Sequence, residues 1–147
     1  FFHDTSGYVG VWSEPRPELQ IAQPMDLSST DHLSFRVAQI ARTSANRGAD
    51  VDMELEVVDR AGQRAVLRSN ELGVHVPAPY ARPPWKLRNN DGSQPHTVDV
   101  TKTVLGTWRI ATACLVRKNP SLSLRDTVAI RVRPLAPTGA LAFADFQ

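Results

Sequence analysis

The chain has 147 residues with a formal net charge of +2, and 41% of its residues are hydrophobic. This length suits a single domain over residues 1–147 with its own buried core. The small net charge argues against a nucleic-acid-binding surface, no apolar run approaches the roughly 18 residues of a membrane-spanning helix, and a single cysteine, Cys114, excludes an internal disulfide.

Alternation of apolar and polar residues is the dominant pattern along the chain, and it predicts β-strands with one buried face. The alternation is clearest at 33–37, at 51–57 and at 128–132, where Val128, Ile130 and Val132 are expected to point inward. A capped turn is predicted at Asp26–Ser29. In chain order, the predicted strands are 8–12, 33–37, 51–57, 65–68, 74–76, 97–100, 108–115, 128–132 and 140–146.

Turn-forming residues separate these strands. A short hairpin is predicted at Asp59–Gly62, and further turns at Asn89–Gly92 and Pro137–Gly139. The proline-rich segment 77–95 is the longest predicted loop. Short strands at this spacing predict an all-β fold, either a β-sandwich or its jelly-roll form, with Trp12 and Trp108 in the core.

No established catalytic motif is present, and a non-enzymatic protein is predicted. Cys114 lies in an alternating stretch and is interpreted as a buried or half-buried structural thiol. Asp52, Glu54 and Glu56 share the outward face of one strand, a spacing that also suits a glycosidase carboxylate pair.

Ion pairing is the favoured interpretation of these three acids. Arg36, Arg131 and Arg133 occupy the outward positions of two other predicted strands. If the three strands are neighbours, the guanidinium groups meet the carboxylates across the sheet. The same face would also be able to hydrogen-bond sugar hydroxyls.

A second candidate surface is the proline-rich segment, which combines aromatic and basic residues. Aromatic rings can stack on the C–H faces of sugars, and prolines stiffen the backbone that holds them. The alternative is that these aromatics fold down as a lid on the core. The residues predicted to bind a ligand are Tyr80, Arg82, Trp85, Arg88 and Asp91.

A structural calcium ion is a further hypothesis, although no cofactor is required by the pattern. Jelly rolls often hold Ca²⁺ with carboxylates from both chain ends. Asp4 and Asp145 are the candidate ligands, with Glu14 or Asp26 as further oxygen donors.

Several segments resemble the galactose-binding-like jelly rolls. Residues 26–37 (DLSSTDHLSFRV) resemble the opening strand of that family, residues 51–62 the following strand and hairpin, residues 105–110 (LGTWRI) a middle strand, and residues 128–146 the closing pair. Ala111 and Thr112 depart from the family pattern. The resemblance covers about residues 25–147 and implies a carbohydrate-binding-module-like domain.

The resemblance also implies where the protein is located and what its partners are. Such domains are often appended to secreted bacterial hydrolases, so we expect a domain of a longer extracellular protein with a polysaccharide or oligosaccharide as its ligand. A neighbouring catalytic domain in the same chain is the other expected partner. The alternative is a structural or protein-interaction domain that packs on that neighbour and binds no glycan. Nucleic acid and a membrane span are not expected.

Overall fold

The computed structural model of the chain is built mainly from β-strands. It describes residues 8–12, 18–40, 49–81, 85–87, 96–98, 101–102, 105–136 and 139–144. The strands are β1 Tyr8–Trp12, β2 Leu19–Ile21, β3 His32–Gln39, β4 Met53–Asp59, β5 Arg64–Arg68, β6 Tyr80–Ala81, β7 Trp85–Leu87, β8 His96–Val98, β9 Thr101–Lys102, β10 Gly106–Ala111, β11 Thr127–Pro134 and β12 Gly139–Ala144. The helical elements described are α1 Thr112–Lys118 and two 3₁₀ turns, Ser69–Leu72 and Leu124–Asp126.

Eight of these strands form two four-stranded antiparallel sheets. Sheet 1 has the order β1-β12-β3-β10, and sheet 2 has the order β2-β11-β4-β5. The chain crosses between the sheets from β1 to β2, from β2 to β3, from β3 to β4, from β5 to β10 by way of the ribbons, from β10 to β11 and from β11 to β12. Most neighbouring strands are therefore distant in sequence. The predicted hairpin at Asp59–Gly62 is confirmed, because it joins the adjacent strands β4 and β5.

One hydrophobic core joins the buried faces of the two sheets. The alternation predicted for β3 and β4 is confirmed: Phe35 and Leu55 are each 2% exposed, at the centres of their strands. Trp108 on β10 is also buried, with its ring centroid 5.7 Å from that of Phe35. The side chain of Trp12 lies outside the described residues. Two antiparallel sheets that share a core are compatible with a β-sandwich.

The first residues of β11 depart from the predicted alternation. Val128 was expected to point inward, but Thr127 and Ala129 are the buried residues and Val128 is half-buried. The register of β11 against β4 shifts between Thr127 and Ala129. A bulge of this kind inserts one extra residue and so reverses the faces on one side of it. From Ile130 onward, the inward positions are the predicted ones.

The predicted strand at 108–115 is wrong beyond Ala111. Ala111 pairs with His32, the first residue of β3, so the ladder between β10 and β3 ends there. The backbone N–H of Thr112 then donates to the carbonyl of Asp31 at 3.0 Å, and the chain continues as α1. Leu115 is fully buried on this helix. Cys114 is half-buried against the core, as expected for a structural thiol, but on a helix.

The segment predicted to be one long loop, 77–95, contains two short strands. β6 pairs with β9, and β7 pairs with β8, each antiparallel. We call these two pairs the ribbons. The predicted strand at 74–76 is reduced to a single bridge between Val76 and Val51. The predicted turn at Asn89–Gly92 lies outside the described residues.

Within the described part of the chain, no helix has the length and apolar character needed to cross a membrane.

Asp59 holds together the turn after β4, and its contribution to stability is expected to depend on pH. Its carboxylate is 2% exposed and accepts the backbone N–H groups of Ser123 at 2.9 Å and Gln63 at 2.8 Å. These bonds, that of Ser123 first, hold the pKa of Asp59 below its ordinary value of 3.8. The stabilisation is therefore present above the unfolded-state pKa and is lost as the pH falls through the lower folded-state pKa.

We expect the Asp59→Asn variant to unfold at a lower temperature than the wild type at pH 7. The difference should shrink below pH 3.8, as the wild-type carboxylate becomes protonated. Thermal unfolding followed by circular dichroism from pH 7 to about pH 2 measures it. The exposed Asp31→Asn change serves as the matched control. A difference between Asp59→Asn and the wild type that stays constant over this range would contradict the assignment.

Candidate functional site

The predicted ligand-binding residues fall mostly outside the described part of the chain. Tyr80 begins β6 and lies opposite Lys102, and Trp85 begins β7 and lies opposite Val98. Both aromatic residues are therefore on hydrogen-bonded strands and not in an open loop. The remaining predicted residues, Arg82, Arg88 and Asp91, lie outside the described residues.

The chain continues into the ribbons from one end of the two sheets. Val51 and Val76 bridge there, and the backbone N–H of Ala78 donates to the Asp50 carboxylate at 2.9 Å. Beneath them, the buried Gln39 side chain donates to the carbonyl of Val76 at 3.1 Å. These hydrogen bonds hold the backbone just before β6 in place, so the first strand of the ribbons follows an ordered segment.

The proposed calcium ligands Asp4 and Asp145 also lie outside the described residues. No group of three or more metal-binding side chains occurs in the ranges that the structure describes. Asp26, the further donor considered, lies in the connection between β2 and β3. Its Oδ1 atom accepts the backbone N–H of Ser28 at 2.9 Å as well as the Ser28 hydroxyl. This confirms the predicted turn at Asp26–Ser29.

The outer face of sheet 2 carries the predicted ladder of charged residues. Glu56 on β4 is 3% exposed although it is on the outward face. Its carboxylate lies 3.0 Å from Arg131, 3.2 Å from Arg133 and 3.6 Å from Arg64. The guanidinium groups cover this carboxylate, which explains its burial. The charged face, as we call it, consists of Glu18, Glu54, Glu56, Arg64, Arg68, Arg131 and Arg133.

Arg36 does not belong to the charged face, and its predicted pairing with these acids is wrong. It lies on β3, whose neighbours are β10 and β12 in sheet 1. In the register of the sheet it is opposite Thr107 and Ala144. The error arose because an alternating pattern shows which residues share a face of one strand but not which strands are adjacent.

Each of the three acids whose spacing suits a glycosidase is in contact with another side chain: arginines pair with Glu54 and Glu56, and a hydroxyl group donates to Asp52. Glu54 is paired with Arg133 at 3.0 Å and with Arg68 at 3.1 Å. Asp52, which precedes β4, accepts the hydroxyl of Ser69 at 2.7 Å. Such contacts hold each carboxylate in place as an acceptor within the fold.

Asp52, Ser69 and His75 form a cluster that superficially resembles a catalytic triad. In a triad the histidine lies between the serine and the acid, and takes the proton of the hydroxyl. Here Asp52 is the central residue: it accepts from Ser69, and its Oδ1 atom is 3.4 Å from Nδ1 of His75. The Ser69 hydroxyl is fully buried and accepts the backbone N–H of Met53 at 2.9 Å. The cluster therefore has the geometry of a structural clamp at the start of β4.

A concave site among the described residues is a cleft between the sheets, which the sequence did not predict. Its volume is about 520 Å³. The connection from β2 to β3 forms its wall, and residues of β3, β4 and β11 form its floor. We call it the inter-sheet cleft. Its lining residues are Ile21, Gln23, Pro24, Met25, Asp26, Leu27, Ser29, Thr30, Leu33, Ser34, Phe35, Leu55 and Ile130.

The wall of the inter-sheet cleft is held by backbone hydrogen bonds. The N–H of Met25 donates to the carbonyl of Thr127 at 2.8 Å, and the N–H of Leu27 donates to the carbonyl of Leu124 at 2.9 Å. Hydrogen bonds from Ser28 hold the pKa of Asp26 below its ordinary value, and the charge of Arg125 adds to this effect. The rim of the cleft therefore carries an ionised carboxylate at neutral pH.

The sequence contained a partial signal for this cleft. The segment between β2 and β3 mixes apolar residues with short polar ones, and it carries the turn that was predicted at Asp26–Ser29. The turn shows where the chain reverses direction, but the apolar residues beside it have the same pattern as ordinary core residues. Only the packing of β3, β4 and β11 beneath the segment leaves space there.

Comparison of the chain with protein-family models, with curated proteins and with solved structures found no match.

Proposed function

We propose that this chain is a non-catalytic, carbohydrate-binding jelly-roll domain of the galactose-binding-like type. In this proposal, Tyr80 and Trp85 on the ribbons stack on sugar rings, and Arg82, Arg88 and Asp91 hydrogen-bond sugar hydroxyls. The domain is ancillary to a secreted hydrolase and recognises its polysaccharide. Calcium, if the chain binds it, is held by Asp4 and Asp145.

The observation that carries the proposal is the strand pairing of the two aromatic residues. Trp85 begins β7 and lies opposite Val98 in the register, and Tyr80 begins β6 and lies opposite Lys102. Backbone pairing reduces the conformational freedom that an aromatic platform loses when it binds a ligand. Lys102, at the register position opposite Tyr80, adds a basic residue to this ribbon, and such residues donate hydrogen bonds to hydroxyl oxygens.

Two further features support the proposal. The chain alternates between the two sheets, which is the kind of connection that a jelly roll needs. The acids of the charged face are engaged by guanidinium groups, so a role for that face in glycoside hydrolysis has little support.

Affinity electrophoresis through gels that contain individual polysaccharides tests the proposal. We expect the wild type to be retarded by at least one polysaccharide and Trp85→Ala to migrate freely, because the stacking surface is lost. Trp85→Phe, which keeps an aromatic ring, should be partly retarded. Thr107→Ala, an exposed change on sheet 1, is the control and should behave as the wild type.

Thermal unfolding of the same variants separates binding from folding. We expect Trp85→Ala to unfold at the wild-type temperature. A large fall in that temperature would make Trp85 a core residue and overturn the platform. Wild-type protein that no polysaccharide retards would overturn carbohydrate recognition and favour the interaction-domain alternative.

A further inference from the structure

The inter-sheet cleft has the size and lining of a small-molecule site. Sites for small ligands commonly measure roughly 300–1,000 Å³ and combine apolar walls with a few polar groups. The cleft falls in this range, at about 520 Å³.

The floor of the cleft is apolar and firmly held. Phe35 and Leu55 line it, although each is only 2% exposed, and Ile130 beside them is 6% exposed. The Phe35 ring is flanked by Trp108 on β10, at 5.7 Å between centroids, and by Phe143 on β12, at 6.4 Å. The floor is therefore closed, and the apolar surface that a ligand can contact is on the more exposed lining residues Ile21, Pro24 and Met25.

The rim is polar, and its charged lining residue is an acid. Gln23, Ser29, Thr30 and Ser34 contribute neutral groups, and Asp26 contributes a carboxylate. The hydrogen bonds from Ser28 both fall on Oδ1 of Asp26. Among the described residues, no hydrogen bond reaches Oδ2, so that atom is available to accept one.

From this geometry we propose that the inter-sheet cleft binds a small amphipathic molecule with an aliphatic body and an uncharged, hydroxyl-bearing head. The aliphatic body lies against Ile21, Pro24 and Met25 of the wall, above the closed floor formed by Phe35, Leu55 and Ile130. The hydroxyl donates to Asp26 at the rim. A carboxylate head is disfavoured because it would face the negative charge of Asp26. This site is separate from the ribbons and does not depend on carbohydrate recognition.

The two methionines of the chain provide a test of this site. Met25 lines the cleft, whereas Met53 is fully buried and is not among the lining residues. In protein labelled with ¹³C at the methionine methyl groups, 1-octanol is the probe. We expect the Met25 signal to shift and reach saturation as octanol is added, with the Met53 signal unchanged.

Two tryptophan variants show whether octanol occupies the cleft. Ser29→Trp places a large ring at the rim from an exposed position and should weaken octanol binding about tenfold or more. Ser121→Trp makes the same change at an exposed residue away from the cleft and should leave binding unchanged. The Met53 signal of each variant reports whether its core is intact. If Ser29→Trp disturbs that signal, Ser29→Phe replaces it.

The charge of the head group is tested with octanoate. We expect octanoate to bind more weakly than octanol in the wild type, by about two- to fivefold because Asp26 is exposed, and Asp26→Asn to reduce that difference. A Met25 signal that never saturates, or equal shifts in Ser29→Trp and the wild type, would overturn the site. If octanoate bound as tightly as octanol, the proposal that the ligand has an uncharged head group would be wrong.

Discussion

Replacing Phe35 by alanine is expected to lower the free energy of unfolding by about 3–5 kcal/mol, the largest effect of any single change considered for this protein. Phe35 is 2% exposed and packs between Trp108 and Phe143 within the core. Its removal forfeits the burial of an aromatic ring and leaves a cavity beside the existing inter-sheet cleft. Urea unfolding followed by tryptophan fluorescence and circular dichroism measures the change.

The matched control for Phe35→Ala is Thr107→Ala on the neighbouring strand. Thr107 is exposed in sheet 1, so this change should alter the free energy of unfolding by only about 0.5 kcal/mol. If Phe35→Ala cost as little as the control, the ring would not be at the centre of a core shared by the two sheets, and the packing described above would be wrong.

Replacing Glu56 by alanine is expected to destabilise the protein by about 1–3 kcal/mol. The change removes the common partner of Arg131, Arg133 and Arg64 and leaves their positive charges facing one another. Breaking a fully buried pair would cost more, but Arg131 and Arg133 are 30% and 35% exposed, so solvent screens part of the effect. Urea unfolding at low salt measures it.

Salt and an exposed ion pair provide the controls for Glu56→Ala. In 1 M NaCl, where the screening length is only about 3 Å, the difference from the wild type should shrink. Glu71→Ala breaks the exposed contact with Lys118 and should change stability very little. If Glu56→Ala and Glu71→Ala had equal effects, Glu56 would not be the centre of the charged face.

Much of the local structure could be predicted from the sequence because alternation reports burial directly. Phe35 on β3 and Leu55 on β4 were expected to point inward, and both are buried. The turn at Asp26–Ser29 and the hairpin at Asp59–Gly62 depend on nearby residues only, and both are present. The pairing of Arg131 and Arg133 with the acids of β4 also followed from their outward positions.

The errors came from features that depend on distant segments. The predicted pairing of Arg36 with the acids of β4 fails because β3 and β4 are in different sheets, and adjacency of strands depends on how the chain crosses the core. The alternation predicts a strand over 108–115, but β10 ends at Ala111 because its partner β3 begins at His32. The bulge in β11 reversed the faces of Thr127 and Val128 for a similar reason: it is a property of the pairing with β4.

The two candidate sites differ in how much of each could be predicted from the sequence. The combination of Tyr80 and Trp85 with basic neighbours is visible in the sequence, but their placement on paired ribbons required the partner strands β8 and β9. The inter-sheet cleft was not predictable, because its lining residues look like ordinary core residues and turn residues when read along the chain.

The buried faces of β3 and β4 and several turns could be predicted from the sequence, because these depend on contacts between near neighbours and on hydrophobicity. Tertiary structure alone decided which strands are adjacent, where β10 gives way to α1, and where space remains between the sheets. Those outcomes depend on how surfaces formed by distant segments fit together, and no local pattern of residues records that fit.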